Sequence, residues 1–157
     1  MNHKTTEQLI KWLTLTISVA LFVFSMTQYA YCTLADKKGD CTEALSLLLV
    51  GGLGIFMGEM ASISWLANLT LSATWVLIFT APKFALITSV ATLLLMLMFL
   101  TFDNVLINEA GGKSVIVSYG AGYWLWVLSS AFTVVGSILN LVFNCRVVAV
   151  AQPAYRL

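Results

Sequence analysis

Polar and apolar positions separate along this chain into long blocks rather than alternating residue by residue. Residues 12–35, 44–58, 60–82 and 84–102 contain no Asp, Glu, Lys or Arg, and neither do residues 114–145. A charge-free apolar run of about 18 residues or more reads as a membrane span, because roughly 20 helical residues cross a hydrocarbon core near 30 Å thick. The pattern predicts an all-α polytopic membrane protein. Its four transmembrane helices fall near 10–31, 60–80, 84–102 and 121–144, with an additional re-entrant or interfacial helix at about 44–58.

The segment 44–80 needs that extra element. As one straight helix its 37 residues would run about 55 Å, far longer than the bilayer core. Gly51, Gly52, Gly54 and Gly58 crowd its first half, so a break is expected there. Two arrangements follow: 44–58 folds back and 60–80 crosses once, or 44–58 and 63–80 both cross, giving five spans. With four spans Lys4, Lys11, Lys83, Arg146 and Arg156 lie inside and Lys37, Lys38 and Lys113 outside, five against three. Five spans reverse that count, so the positive-inside rule favours four, with both termini cytoplasmic. Fifteen helical residues also reach only about 22 Å, short of a crossing.

The first stretch, Trp12 to Tyr31, follows Lys4 and Lys11 as the core of a signal peptide would. Its Gln28 and Ala30 make a poor cleavage site and its length suffices to span, so it is expected to be a retained helix. Pro82 is expected to stop the second span before Lys83. Asp103, Asn104 and Glu109 open an outer loop whose apolar patch, Val115 to Ser118, rests on the membrane or on the first loop. Tyr123, Trp124 and Trp126 are expected interface anchors for the last helix.

Composition agrees with this placement. Of 157 residues, 60% are hydrophobic and 10% charged, and the net charge is +1, so no basic surface for nucleic acid is present. Cys32 and Cys41 both fall in the predicted first outer loop and are expected to form a structural disulfide, contributing about 2.5 kcal/mol at most on the chain-entropy account. Free thiols or a redox pair are the alternatives, the latter disfavoured by the absence of a Cys-x-x-Cys spacing. Cys145 is expected on the opposite side, unpaired.

Glu59 is the one acid within an apolar stretch. A charge at the bilayer centre costs about 2.5 to 3.5 kcal/mol on insertion scales, which makes such a residue a functional candidate. Ser62 shares its helical face and Asn68 continues the polar content, so Glu59, Ser62 and Asn68 form a candidate ligand or ion site. The structural alternative is that Glu59 lies wet at the interface or caps a broken backbone. Gly54 and Gly58 make a small-residue stripe with Ser62, suited to close helix packing within the chain or to self-association. Helix four offers Ser129, Ser130, Gly136 and Asn140 as a facing surface, and Asn140 and Asn144 are expected to bond between helices.

Named chemistry is missing from the sequence. His3 is the single histidine, no Cys, Asp or Glu cluster has metal-ligand spacing, no Ser has a His base, and no phosphate-binding Gly motif occurs. Asn68-Leu69-Thr70 matches a glycosylation triplet but lies within a span. Neither a cofactor nor enzymatic activity is expected. The stretches Gly58 to Asn68 and Tyr119 to Trp126 resemble a group of small bacterial four-span inner-membrane proteins, which implies a bacterial source and no activity. The layout is also similar to claudin-type tetraspans, although their Trp-rich first-loop signature is absent. The expectation is a non-catalytic inner-membrane protein working by contact with a protein partner or a second copy, as an accessory subunit or an immunity-type protein. The rival is a small oligomeric transporter or ion conductor using Glu59.

Overall fold

A computed structural model of the protein describes residues 3–36, 41–108 and 111–151, with side chains from 5 to 143. Lys37, Lys38, Glu109 and Arg156, together with the side chains of His3, Lys4, Asn144, Cys145 and Arg146, lie outside what is described. The elements in order are α1 (His3–Ser25), β1 (Tyr29–Thr33), β2 (Thr42–Glu43), α2 (Ala44–Val50), α3 (Leu53–Phe56), a 3-10 helix (Met60–Trp65), α4 (Leu66–Thr80), α5 (Pro82–Met98), a 3-10 turn (Phe99–Thr101), β3 (Asn104–Leu106), β4 (Lys113–Tyr119) and α6 (Ala121–Ala151). Four helical segments of 20 to 23 residues are long and apolar enough to cross a membrane: Thr5–Ser25, Met60–Thr80, Pro82–Thr101 and Ala121–Phe143.

The first helix begins earlier and ends earlier than its apolar run. Ser25 and Thr27 donate their hydroxyls to the Phe22 and Phe24 carbonyls at 2.7 and 2.8 Å, local bonds that compete with continuing the helix. The chain then enters Tyr-Ala-Tyr-Cys-Thr, residues that favour extended backbone. The expected all-α fold is thus corrected: β1 joins a four-stranded antiparallel sheet of order β2-β1-β4-β3. Tyr31 faces Tyr119 and Asn104 faces Val115 across it. The patch Val115 to Ser118 accordingly rests on the first loop, as strand β4. Cys32 and Cys41 stand at disulfide distance with Cα atoms 4.5 Å apart, tying the β1 end to the β2 side.

Residues 44–58 are two short helices rather than one, separated at Gly51–Gly52. Gly58 has φ +74°, the left-handed region that glycine enters without a Cβ clash, and there the chain reverses. The Glu59 amide donates to the Gly54 carbonyl at 2.9 Å and the Trp65 indole donates to the Leu48 carbonyl at 2.9 Å. Gly54 lies so close to Ser62 that any Cβ there would overlap the hydroxyl. Gly54 and Ser62 therefore meet where α3 packs on the 3-10 helix, and Gly58 supplies the turn between them. Pro82 both ends α4 and opens α5, with Ala81 the single residue between them.

The bundle interior is small and hydroxylated while its outside is large and apolar. Ser18, Ala67, Ala85, Ser129, Ser130 and Ser137 are buried, whereas Val76, Ile87, Leu94 and Val135 are exposed. That inversion suits helices in lipid, where small residues allow close approach and polar side chains bond across. Trp75 donates to Ser18 at 2.9 Å, Thr92 to Thr70 at 2.8 Å, and Tyr123 to the Met96 carbonyl at 2.9 Å. The expected interhelical bond of Asn140 forms, its amide donating to the Ile78 carbonyl at 3.1 Å. Gly136 packs against Thr14 of α1 with no room for a Cβ. Gly136→Val is expected to lower thermal stability in detergent by about 1 to 3 kcal/mol through overpacking, while Leu94→Val on the exposed face leaves the midpoint nearly unchanged.

Candidate functional site

At the sheet end of the bundle the fold-back and the sheet border an open-sided chamber of about 720 Å³. Helices α2 and α3 form one wall, with Leu47, Val50 and Leu53. The sheet supplies Ala30, Tyr31 and Val105, and the helix ends beneath supply Asn68, Phe99, Tyr123 and Trp126. The volume falls in the ordinary range for a site holding a drug-sized molecule. Phe99 joins sheet to bundle, its ring 5.6 Å from Tyr31 and 5.8 Å from Tyr123.

Glu59 stands in the cavity wall, where Gly58 reverses the chain and the 3-10 helix begins. It is 6% exposed, and its Oε2 has no hydrogen-bond partner among the described residues. The Lys113 ammonium approaches to 3.7 Å, an ion pair but too long for a hydrogen bond, and that lysine is 60% exposed at its side chain. Glu59 also lines a second, outward-facing hollow of about 250 Å³ with Asp103 and Lys113. Glu59 thus borders both an apolar chamber and a polar vestibule.

The other expected site residues divide. Ser62 lines the chamber beside Gly54. Asn68 lines it too, but its amide is engaged: it donates to the Trp65 carbonyl at 3.1 Å and accepts from the Trp126 indole at 2.9 Å. Of the expected anchors, Trp124 is exposed on the bundle surface, Trp126 faces the chamber, and Tyr123 is 3% exposed, buried at the core. Cys32 in β1 and Cys41 just before β2 are not part of the chamber lining. Among the described residues no group of three His, Cys, Asp or Glu is placed to hold a metal.

Ser64, part of the polar content the sequence places after Glu59, is buried against the chamber, and its hydroxyl has no hydrogen-bond partner among the described residues. Two lysine pairings escaped the sequence reading. Lys113 reaches Glu59 from β4, a pairing only the sheet register makes visible. At the opposite end of the bundle Lys11 is buried, its ammonium 2.6 Å from Glu7. Their i,i+4 spacing carried that signal.

Comparison with known protein families, with characterised proteins and with solved structures finds no match. The site is therefore read from its own geometry.

Tyr31 gives the chamber a measurable signature. Burial pushes its hydroxyl up to about 12 from the ordinary 10.0, with the Asp36 and Glu59 carboxylates adding to the rise and a bond with Thr42 opposing it. The raised value favours the neutral form in the folded protein, so its stabilisation is complete below pH 10.0 and is lost as pH climbs toward about 12. Alkaline unfolding is expected to be steeper in that window for the wild type than for Tyr31→Phe, by an amount on the order of 2 to 3 kcal/mol. Identical slopes would contradict the burial.

Proposed function

We propose that the chain is a non-catalytic protein of the bacterial inner membrane that works by binding and contact at its sheet end, as an accessory or immunity-type component. In this reading both termini are cytoplasmic and the sheet faces outward. The observation that carries it is the built chamber: an apolar space of about 720 Å³ roofed by the sheet, walled by α2 and α3, and holding one buried carboxylate. The outer faces of α2 and α3 are apolar as well, with Leu45, Leu49 and Phe56 exposed, the last at 88%. A surface of that kind meets lipid or a partner's apolar segment, not water.

The test is recovery from the membrane in mild detergent followed by native mass spectrometry. The wild type is expected to retain a bound amphiphile or a protein partner. Leu47→Trp, which fills the chamber, is expected to lose about tenfold or more of that retention. A wild type that emerges bare and monomeric, indistinguishable from the variant, would overturn the reading.

A transport role for Glu59 draws on one further feature, the buried hydroxyls of Ser130 and Ser137 in α6, which have no hydrogen-bond partner among the described residues. It requires ion flux in proteoliposomes that falls in Glu59→Gln. Equal flux from both proteins would remove it.

A further inference from the structure

We infer that the chamber binds an amphipathic primary ammonium: a positively charged N–H donor headgroup on Glu59, with its apolar chain along α2 and α3. The inference rests on the reading of the chamber as a binding site and adds the chemistry of what it takes. Removing a carboxylate from water costs several kcal/mol unless it is paired and hydrogen-bonded. Glu59 has only the first half of that compensation. Its Oε2 is shielded from solvent, accepts no hydrogen bond, and faces a lysine ammonium at 3.7 Å. A charge-assisted N–H to carboxylate bond closes to about 2.7 to 2.9 Å, so Lys113 at 3.7 Å leaves the carboxylate short of a close donor.

The polar groups near Glu59 match a cation with several donors. Ser64 is buried in the chamber wall with a free hydroxyl oxygen, and Ser62 lies between it and the carboxylate in sequence, also lining the space. Among the described residues no Lys or Arg lines the chamber itself, since Lys113 stands in the vestibule with Glu59. A bound anion would therefore meet an uncompensated carboxylate, and a neutral chain would leave Oε2 as it is. A primary ammonium satisfies it. The remaining walls, Leu47, Val50, Leu53, Met26 and Val105, accept a hydrocarbon tail. Helices α2 and α3 carry no charge and expose apolar side chains outward, which suits an amphiphile reaching the chamber along them. Lys113 then acts as the resting counter-ion, displaced toward the vestibule when a ligand ammonium arrives.

Binding of octylammonium and of octanol to the full chain in nanodiscs of choline phospholipid distinguishes the possibilities. Emission from Trp65 and Trp126, which line the chamber, reports occupancy. The wild type is expected to bind octylammonium about tenfold or more tightly than octanol. Glu59→Gln is expected to erase that preference while still binding octanol, and Lys113→Ala, which removes the competing cation without touching the chamber, to strengthen octylammonium binding several-fold. Equal affinity for the two probes in the wild type, or weaker ammonium binding in Lys113→Ala, would overturn the ammonium assignment and leave the binding reading standing. Binding of neither probe would overturn both. Repeating the titration in nanodiscs containing aminophospholipid identifies the source: competition assigns the ammonium to a lipid headgroup, and unchanged affinity assigns it to a free amphiphilic amine.

Discussion

The amide of Glu59 bonds to the carbonyl of Gly54, and the reversal it closes decides where everything downstream lies. Backbone polar groups in a membrane must find partners within the protein, because hydrocarbon offers none. A stretch that stops and turns back is therefore stable only when its loose carbonyls and amides are met locally. Here Gly58 supplies the left-handed conformation, Gly54 the close approach to Ser62, and the Trp65 indole a donor for the Leu48 carbonyl. The same turn that sends the chain back after α3 places an acid at the start of a helix long and apolar enough to cross a membrane.

The sheet is the second half of that arrangement. Strand β1 follows α1 and β4 precedes α6, so pairing them ties the first and last long helices together at one end. The Gly120 amide donates to the Ala30 carbonyl at 2.8 Å at the corner, and the absence of side chains at Gly120 and Gly122 lets α6 start against the end of α1. Between the sheet and the helices, aromatic rings fill most of the gap. The chamber is the part they leave open. Its existence follows from the fold-back, since α2 and α3 are its wall.

Much of this was legible in the residues. Charge-free blocks located four membrane-length helices, and the glycine crowd marked the break in 44–80. Two cysteines nine positions apart in a polar loop pointed to each other, and their sulfurs stand at disulfide distance. The sheet was not legible, for a physical reason: β1 is five residues fused to an apolar helix, and β2 and β3 have two and three. Strands that short carry no periodicity of their own and exist because a distant partner pairs with them. Tyr123 misled for a related reason. An aromatic near a helix end anchors at an interface only when no neighbouring carbonyl claims its hydroxyl, and Met96 does so. Lys113 meets Glu59 through strand register alone.

Glu59 gains its chemical interest from position rather than from neighbours in a motif. A carboxylate exposed to water would be ordinary, and one fully paired would be structural. This one is buried, charge-compensated at a distance, and set beside an apolar space, all of which depends on 44–58 returning to the side it came from. The most direct measurement is labelling of intact cells with an impermeant thiol reagent, on Cys145→Ser proteins carrying Glu43→Cys in β2 or Lys83→Cys at the start of α5, both exposed positions. The fold-back predicts that these two sites lie on opposite faces of the membrane, so one labels and the other does not. Labelling of both from the same face would mean that 44–80 crosses twice, and the chamber as described could not form.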